Sequence, residues 1–367
     1  MKVSSIKLWS VDLTSHETYY MADGKTCATV ETHVVCLETD NGLKGWGEVC
    51  PIPHYLPAFA KGVPSAVTEM APEILGIEPF GVDAPMRKLD GFLIGHLHAK
   101  SIIDIALWDL FDKAINLPLY SLLGGRTRYD MPLYHSITCI APDEMARIAK
   151  DAYATGIRQF QVKLGADANW EQDAERLIKV REAVGKGPLV YGDWNCGASR
   201  LHATRTGRAV AHLDVMLEQP CQTLEDCAAV RNATGLPMKI DENAHDYASL
   251  LKAYELGCLD AVALKLSKFG GLSATRRARD LVVHLGAEIC AECTWGSDIV
   301  TAASLHLAAS TPHGSLLNTC DLANYVSPRL CPDGPVRENG RIAPPEGPGL
   351  GVTPDPDILG EPILELS

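Results

Sequence analysis

Six short apolar runs each end in an ionisable residue, and these residues are, in chain order, Lys163, Asp193, Glu218, Asp241, Lys265 and Glu292. The three consecutive acids, Asp193, Glu218 and Asp241, would repel one another at a common point unless a cation neutralised them. Oxygen donors without histidine suit a hard divalent ion, so Mg2+ is the expected cofactor and Mn2+ its substitute. An octahedral ion held by three side chains keeps positions for water and for a substrate carboxylate. Lys163 and Lys265 flank the acids. A lysine beside such an ion has its ammonium form disfavoured, which lets the amine act as a base. The chemistry implied is movement of a proton next to a carboxylate, with the ion stabilising the charge that develops. The competing reading makes these residues salt-bridged charges, each lysine paired with a carboxylate.

The elements that must position them follow from pattern. From Pro132 onward, short apolar strands alternate with helical stretches, giving eight strand candidates: Leu133–Thr138, Gln159–Leu164, Leu189–Asp193, Val215–Glu218, Met238–Asp241, Ala261–Lys265, Glu288–Glu292 and Leu316–Cys320. Strand ends recur every 23 to 30 residues between the second and the eighth. That is the length of one strand, one helix and two loops, and it predicts a parallel (β/α)8 barrel, whose carboxyl-terminal rim collects catalytic groups. Lys163 and Lys265 then stand on strands two and six, on opposite sides of the mouth.

Residues 1–125 read as a separate α+β capping unit. Strands are expected over Lys2–Leu13, Thr32–Thr39 and Leu43–Val49, with a tight turn at Asp40-Asn41-Gly42 and a helix carrying Ile102, Ile103, Ala106, Leu107, Leu110 and Phe111. Residues 126–327 make the barrel, and residues 328–367 return towards the cap. The Tyr19–Thr29 segment and the Pro51–Tyr55 loop have the length and turn content of a lid, in which Tyr55 is the candidate substrate contact.

A formal net charge of -13 in 367 residues argues against nucleic acid or an anionic membrane as partner. A small-molecule carboxylate is expected instead. No run approaches the roughly 20 apolar residues that span a bilayer, and Met1–Ser10 lacks a secretory pattern, so a cytoplasmic location is expected. The twelve cysteines are scattered, which fits reduced buried thiols; Cys290 and Cys293, three apart on a strand, point to opposite faces and make a poor metal pair.

The runs Gln161-Val162-Lys163, Gly192-Asp193-Trp194-Asn195, Leu217-Glu218-Gln219-Pro220, Ile240-Asp241-Glu242 and Lys265-Leu266-Ser267-Lys268-Phe269-Gly270-Gly271 together resemble the muconate-lactonizing-enzyme subgroup of the enolase superfamily. Gly45-Trp46-Gly47-Glu48 extends the resemblance into the cap. It implies a modified barrel with a capping domain, a divalent metal on the three acids, Lys163 and Lys265 as acid and base, and assembly as a homo-oligomer. The subgroup usually carries Lys-x-Lys where this chain has Gln161-Val162-Lys163. Gln161 and the Thr294–Asp298 run look like the branch acting on proline derivatives, which includes proline-betaine 2-epimerases and cis-3-hydroxy-L-proline dehydratases. Betaine epimerases cage the quaternary nitrogen with aromatics, including a tryptophan near the eighth strand, and Asn318–Tyr325 contains none. The resemblance therefore implies dehydration of 3-hydroxyproline with competing epimerisation. Gln161, Asn195 and Trp295 are its candidate substrate contacts, and Glu292, Asp298 or Asp321 would pair with the ring nitrogen.

Overall fold

A computed structural model describes residues 1–54 and 56–367. The cap opens with three antiparallel strands, Val3–Tyr20, Thr26–Thr39 and Lys44–Val49, followed by helices Gly62–Ile74, Asp83–Phe92 and Leu97–Ala114. The first two strands run much further than pattern suggested, with an irregularity between Thr14 and Tyr19 before pairing resumes at Tyr19 with Cys27. The expected lid at Tyr19–Thr29 is accordingly a hairpin end, turned by a short helical turn at Ala22–Gly24. Tyrosine and threonine recur in it, residues that favour a pleated surface over a loop.

The Leu97–Ala114 helix lies directly on the third strand, and glycine makes this possible. A Cβ at Gly47 would fall 2.0 Å from the Ile102 carbonyl oxygen, and one at Gly45 2.3 Å from that of Ala106. Backbone therefore meets backbone at this seam, which no larger residue permits.

Eight parallel strands pair in sequence order: Tyr134–Ile137, Gln159–Lys163, Leu189–Asp193, Met216–Glu218, Met238–Ile240, Ala261–Lys265, Glu288–Glu292 and Leu316–Thr319. The ring meets itself at a parallel bridge between Leu133 and Thr319. Helices follow the first seven strands, the last of them Asp298–Ala309. After the eighth, the described chain forms a short turn at Leu322–Asn324 and then Val326–Ser327, which pairs with Thr14 and Ser15 of the cap. The barrel thus consists of seven β/α units and a closing strand, because its last connection returns to the cap. The carboxyl-terminal strand Leu364–Leu366 pairs with Ile6–Leu8. Side-chain caps fix helix starts beneath the rim, among them Asn169 for Trp170–Val184 and an Asp246–Ser249 capping box for Tyr247–Glu255. Among the described residues no helix is long and apolar enough to cross a membrane. All twelve cysteines are buried and free.

Candidate active site

Strand register places the chemistry. Lys163 sits opposite Asp193, Asp193 opposite Glu218, and Lys265 opposite Glu292, so charged side chains occupy one layer at the carboxyl ends of the strands. Asp241 follows directly after the fifth strand. Lys163 and Lys265, four strands apart in an eight-stranded ring, line a single cavity from opposite sides. Gln161 and Glu292 line the same cavity, and Tyr19, Trp295 and Tyr325 wall it with aromatic rings. Tyr19 meets Trp295 edge-on with centroids 5.3 Å apart, and Tyr19 lies 5.9 Å from Tyr325.

The acids are held by lysines. Lys163 Nζ donates to Asp193 Oδ2 at 2.5 Å and to Asn195 Oδ1 at 3.2 Å. Lys265 Nζ donates to Asp241 Oδ2 at 2.7 Å and lies 3.9 Å from Glu292 Oε1, while Lys268 donates to Asp241 Oδ1 at 2.8 Å. Gln161 Nε2 donates to Glu218 Oε2 at 2.8 Å, and Ser136 Oγ donates to Gln161 Oε1 at 2.8 Å. Lys239 Nζ lies 2.9 Å from Glu218 Oε1 in a wholly buried ion pair, although the two are not aligned as a hydrogen bond.

These partners set the electrostatics. Burial pushes the Glu218 carboxyl up to about 7; Lys239 opposes the rise, and Asp193 and Asp241 add to it. Burial acts to raise Asp241 too, yet the ammonium groups of Lys265 and Lys268 outweigh it and hold Asp241 far below the usual carboxylate range. Lys163 runs against the expectation of a depressed amine. Burial pulls it down, but Asp193 and Glu218 outweigh burial and leave it above its ordinary value.

Asp193, Glu218 and Asp241 stand on adjacent strands and feel one another's charge. However, among the described residues no three His, Cys, Asp or Glu side chains are grouped as a metal cage would group them. The expected convergence is therefore not formed by these side chains, because each carboxylate turns to a neighbouring ammonium. The donor set still fits a hard cation chemically: it is all oxygen, and Glu218 Oε1 carries no aligned hydrogen bond.

Three of the expected substrate contacts are displaced. Asp298 begins the seventh barrel helix, where it accepts from Arg329 and from the Cys331 backbone N–H at 3.0 Å, outside the cavity wall. Asp321 is paired with Arg337 through two nitrogens, one at 2.6 Å, and also lies outside that wall. Both acids are spent on arginines of the returning carboxyl-terminal segment. Asn195 does not line the cavity either; it accepts from Lys163 and donates to Asp193 and to Glu242, the last at 3.0 Å. Gln161, Glu292 and Trp295 do line it, and Tyr55 lies outside the described residues.

Sequence reading missed Lys239, Lys268, Tyr134 and the ring of Tyr325. Tyr134 Oη donates to Glu292 Oε2, and Tyr134 and Tyr191 lie under the Lys239 ammonium, which is 4.8 Å from the Tyr191 centroid. A signal existed. Residues two before a strand-end charge share its face, so Tyr191 beneath Asp193 and Lys239 beneath Asp241 had to point inward.

Comparison with known proteins identifies the family. The family model described as the enolase C-terminal domain-like matches residues 144–358, and that of the mandelate racemase/muconate lactonizing enzyme N-terminal domain matches residues 6–124. A cis-3-hydroxy-L-proline dehydratase of Roseibium aggregatum is 40% identical over 100% of both chains. An N-succinyl-L-Arg/Lys racemase of Bacillus cereus is 28% identical over 98% of each. A crystal structure of an enolase-superfamily member from Roseovarius nubinhibens, complexed with magnesium, superposes with a TM-score of 0.94 at 32% identity, covering 100% of this chain and 99% of that one.

Proposed function

Since this chain belongs to the mandelate racemase/muconate lactonizing enzyme family of the enolase superfamily, we propose that it dehydrates cis-3-hydroxy-L-proline to Δ1-pyrroline-2-carboxylate, with 2-epimerisation as a competing outcome. The observation that carries this reading is the pair of buried lysines facing one cavity from opposite sides, on strands two and six.

In the cis isomer the 3-hydroxyl and the carboxylate share a ring face, so the α-hydrogen projects from the other. Lys265, as the free amine, takes that proton, and the C–H electron pair passes into the carboxylate as an enediolate. Lys163, as the ammonium, gives a proton to the 3-hydroxyl. The electron pair then returns, the C3–O bond breaks, water leaves, and the resulting enamine tautomerises to the imine. If Lys163 instead protonates the α-carbon, the product is the 2-epimer. Assigning Lys265 to the L-face is part of the proposal. Glu292, oriented by Tyr134, is positioned to accept from the ring ammonium.

Asp193, Glu218 and Asp241 are the residues that would hold Mg2+, or Mn2+ in its place. When bound, such an ion supplies positive charge opposite the enediolate oxygens and offsets the carboxylate charge that keeps Lys163 protonated.

A second reading, 2-epimerisation of a proline betaine, is favoured by the aromatic wall. The eighth-strand stretch lacks tryptophan, yet Tyr325 from that stretch joins Tyr19 and Trp295 at the cavity. NMR in deuterated water with Mg2+ separates the two. The proposal expects loss of cis-3-hydroxy-L-proline with water elimination; α-deuteration of a betaine together with inert hydroxyproline would replace it.

A further inference from the structure

The cap motif Gly45-Trp46-Gly47-Glu48 contains an acid that the chemistry above does not use. Glu48 is wholly buried, yet its partners are not lysines or arginines. Its Oε1 accepts from the Ser297 backbone N–H at 2.6 Å and from Thr32 Oγ1 at 3.0 Å, and its Oε2 accepts from the Val300 N–H at 3.0 Å. Ser297 and Val300 open the Asp298–Ala309 helix, whose first N–H groups have no partner within the helix. A carboxylate from the cap thus satisfies the start of a barrel helix across the seam between the two units.

The turn it grips carries Trp295. Three aromatic rings of the cavity wall, those of Tyr19, Tyr325 and Trp295, are fixed in different ways. Tyr19 Oη donates to the Ser136 carbonyl at 3.2 Å, and Tyr325 Oη accepts from the Ser136 N–H at 3.3 Å, so both rings are tied to the first barrel strand. Trp295 has no such tie: its buried indole N–H has no hydrogen-bond partner among the described residues. Its ring is placed by ring contacts and by the backbone that follows, through Gly296 at φ +141, where a Cβ would lie 2.4 Å from Val300 Cγ1. On the far side the same turn is held by the carboxyl-terminal segment, through Leu330 N–H to Ser297 Oγ at 3.1 Å and Arg329 to Asp298.

We infer that Glu48 is a positioning residue for substrate specificity: by binding the Ser297 and Val300 N–H groups from the cap, it sets where the Trp295 ring stands in the substrate cavity. The inference rests on the reading of that cavity as the substrate site. Docking of the cap and the fit of the substrate's ring are thereby one event, because the residue that seals the seam also sets the wall.

The test is Glu48→Gln in the full chain labelled with 5-fluorotryptophan. The six tryptophans give six fluorine resonances, and Trp295→Phe assigns one of them. Glu48→Gln should shift or broaden the Trp295 signal while that of Trp170, which lies beside Arg205 on the outer barrel helices, stays in place. KM for the turned-over substrate should rise about tenfold, the loss of one charge-assisted hydrogen bond, with kcat changed less than about threefold. Adding Trp295→Phe should bring no further rise in KM. Thr32→Val, which removes the hydroxyl shared between Glu48 and the Val49 carbonyl while leaving the carboxylate in place, should shift the same resonance to a smaller extent and keeps the test open should Glu48→Gln fold poorly. An unmoved Trp295 resonance, or effects on KM that simply add, would overturn the inference. If no proline derivative is turned over, the functional reading falls while the fluorine result still decides the role of Glu48.

Discussion

Lys239→Met is the perturbation whose size the structure sets most directly. Lys239 and Glu218 are both completely buried and lie 2.9 Å apart. Deleting the ammonium leaves a buried carboxylate whose one remaining hydrogen-bond partner among the described residues is Gln161, a situation that typically costs about 3–5 kcal/mol. Protonation of Glu218 limits the loss. Wild-type Glu218 is already pushed up to about 7, so taking the proton up in the variant costs about 3 kcal/mol at pH 9 and less than about 1 kcal/mol at pH 7. Without Lys239 the folded-state value rises further, so the variant's native state keeps the proton that wild type has released, and its stability relative to wild type falls as pH climbs from about 7. With an unfolding entropy of about 2 cal/mol/K per residue over this chain, the loss corresponds to a Tm decrease of about 4 °C at pH 9 and less than about 1 °C at pH 7. Thermal denaturation of both proteins at the two pH values measures this directly. Lys239→Met with Glu218→Gln should return the pH 9 loss to within about 1 °C of its pH 7 value. A loss independent of pH, or no loss at pH 9, would refute the reasoning.

Other outcomes follow from the same contacts. Asp104, buried and pushed up to about 7 by burial against the opposing bonds from Ser273, is a raised carboxyl whose native state holds the extra proton between about 3.8 and 7. Its contribution therefore falls as pH rises through that window, and Asp104→Asn should flatten the stability–pH curve there, as read by urea denaturation. Asp321→Ala should lower Tm by leaving Arg337 without its carboxylate, while KM stays within about twofold, because this pair lies outside the cavity wall. Removal of divalent ions with a chelator should abolish turnover, and Mg2+ should restore it, measured by pyrroline formation.

The six strand-end charges were legible because a parallel barrel sends every strand end to one rim, where an ionisable residue has no packing reason to stand. The aromatic wall was only half legible. Trp295 sat in a recognisable run, but Tyr19 belongs to a hairpin that continues beyond the last clear alternation, across the irregularity at Thr14. Asp298 and Asp321 were misplaced for a different reason. Their arginines lie 31 and 16 residues downstream in a segment without periodic pattern, and sequence spacing cannot show that a long-range ion pair has already claimed an acid. The pairing of each metal-binding candidate with a lysine had been the bland alternative, and it is what these side chains adopt. Local charge neutralisation wins wherever the counter-ion is a neighbour on the same rim.

The central claim is that two amines serve opposite faces of one bound carboxylate, and α-proton exchange in deuterated water tests it most directly. Wild type and the Lys163→Ala and Lys265→Ala variants would be given cis-3-hydroxy-L-proline and, separately, its 2-epimer, with Mg2+ present. The account predicts that Lys265→Ala loses exchange at the α-carbon of the L-isomer by at least about 100-fold yet keeps it for the epimer, and that Lys163→Ala does the reverse. Variants that lose exchange with both isomers equally, or with neither, would contradict it.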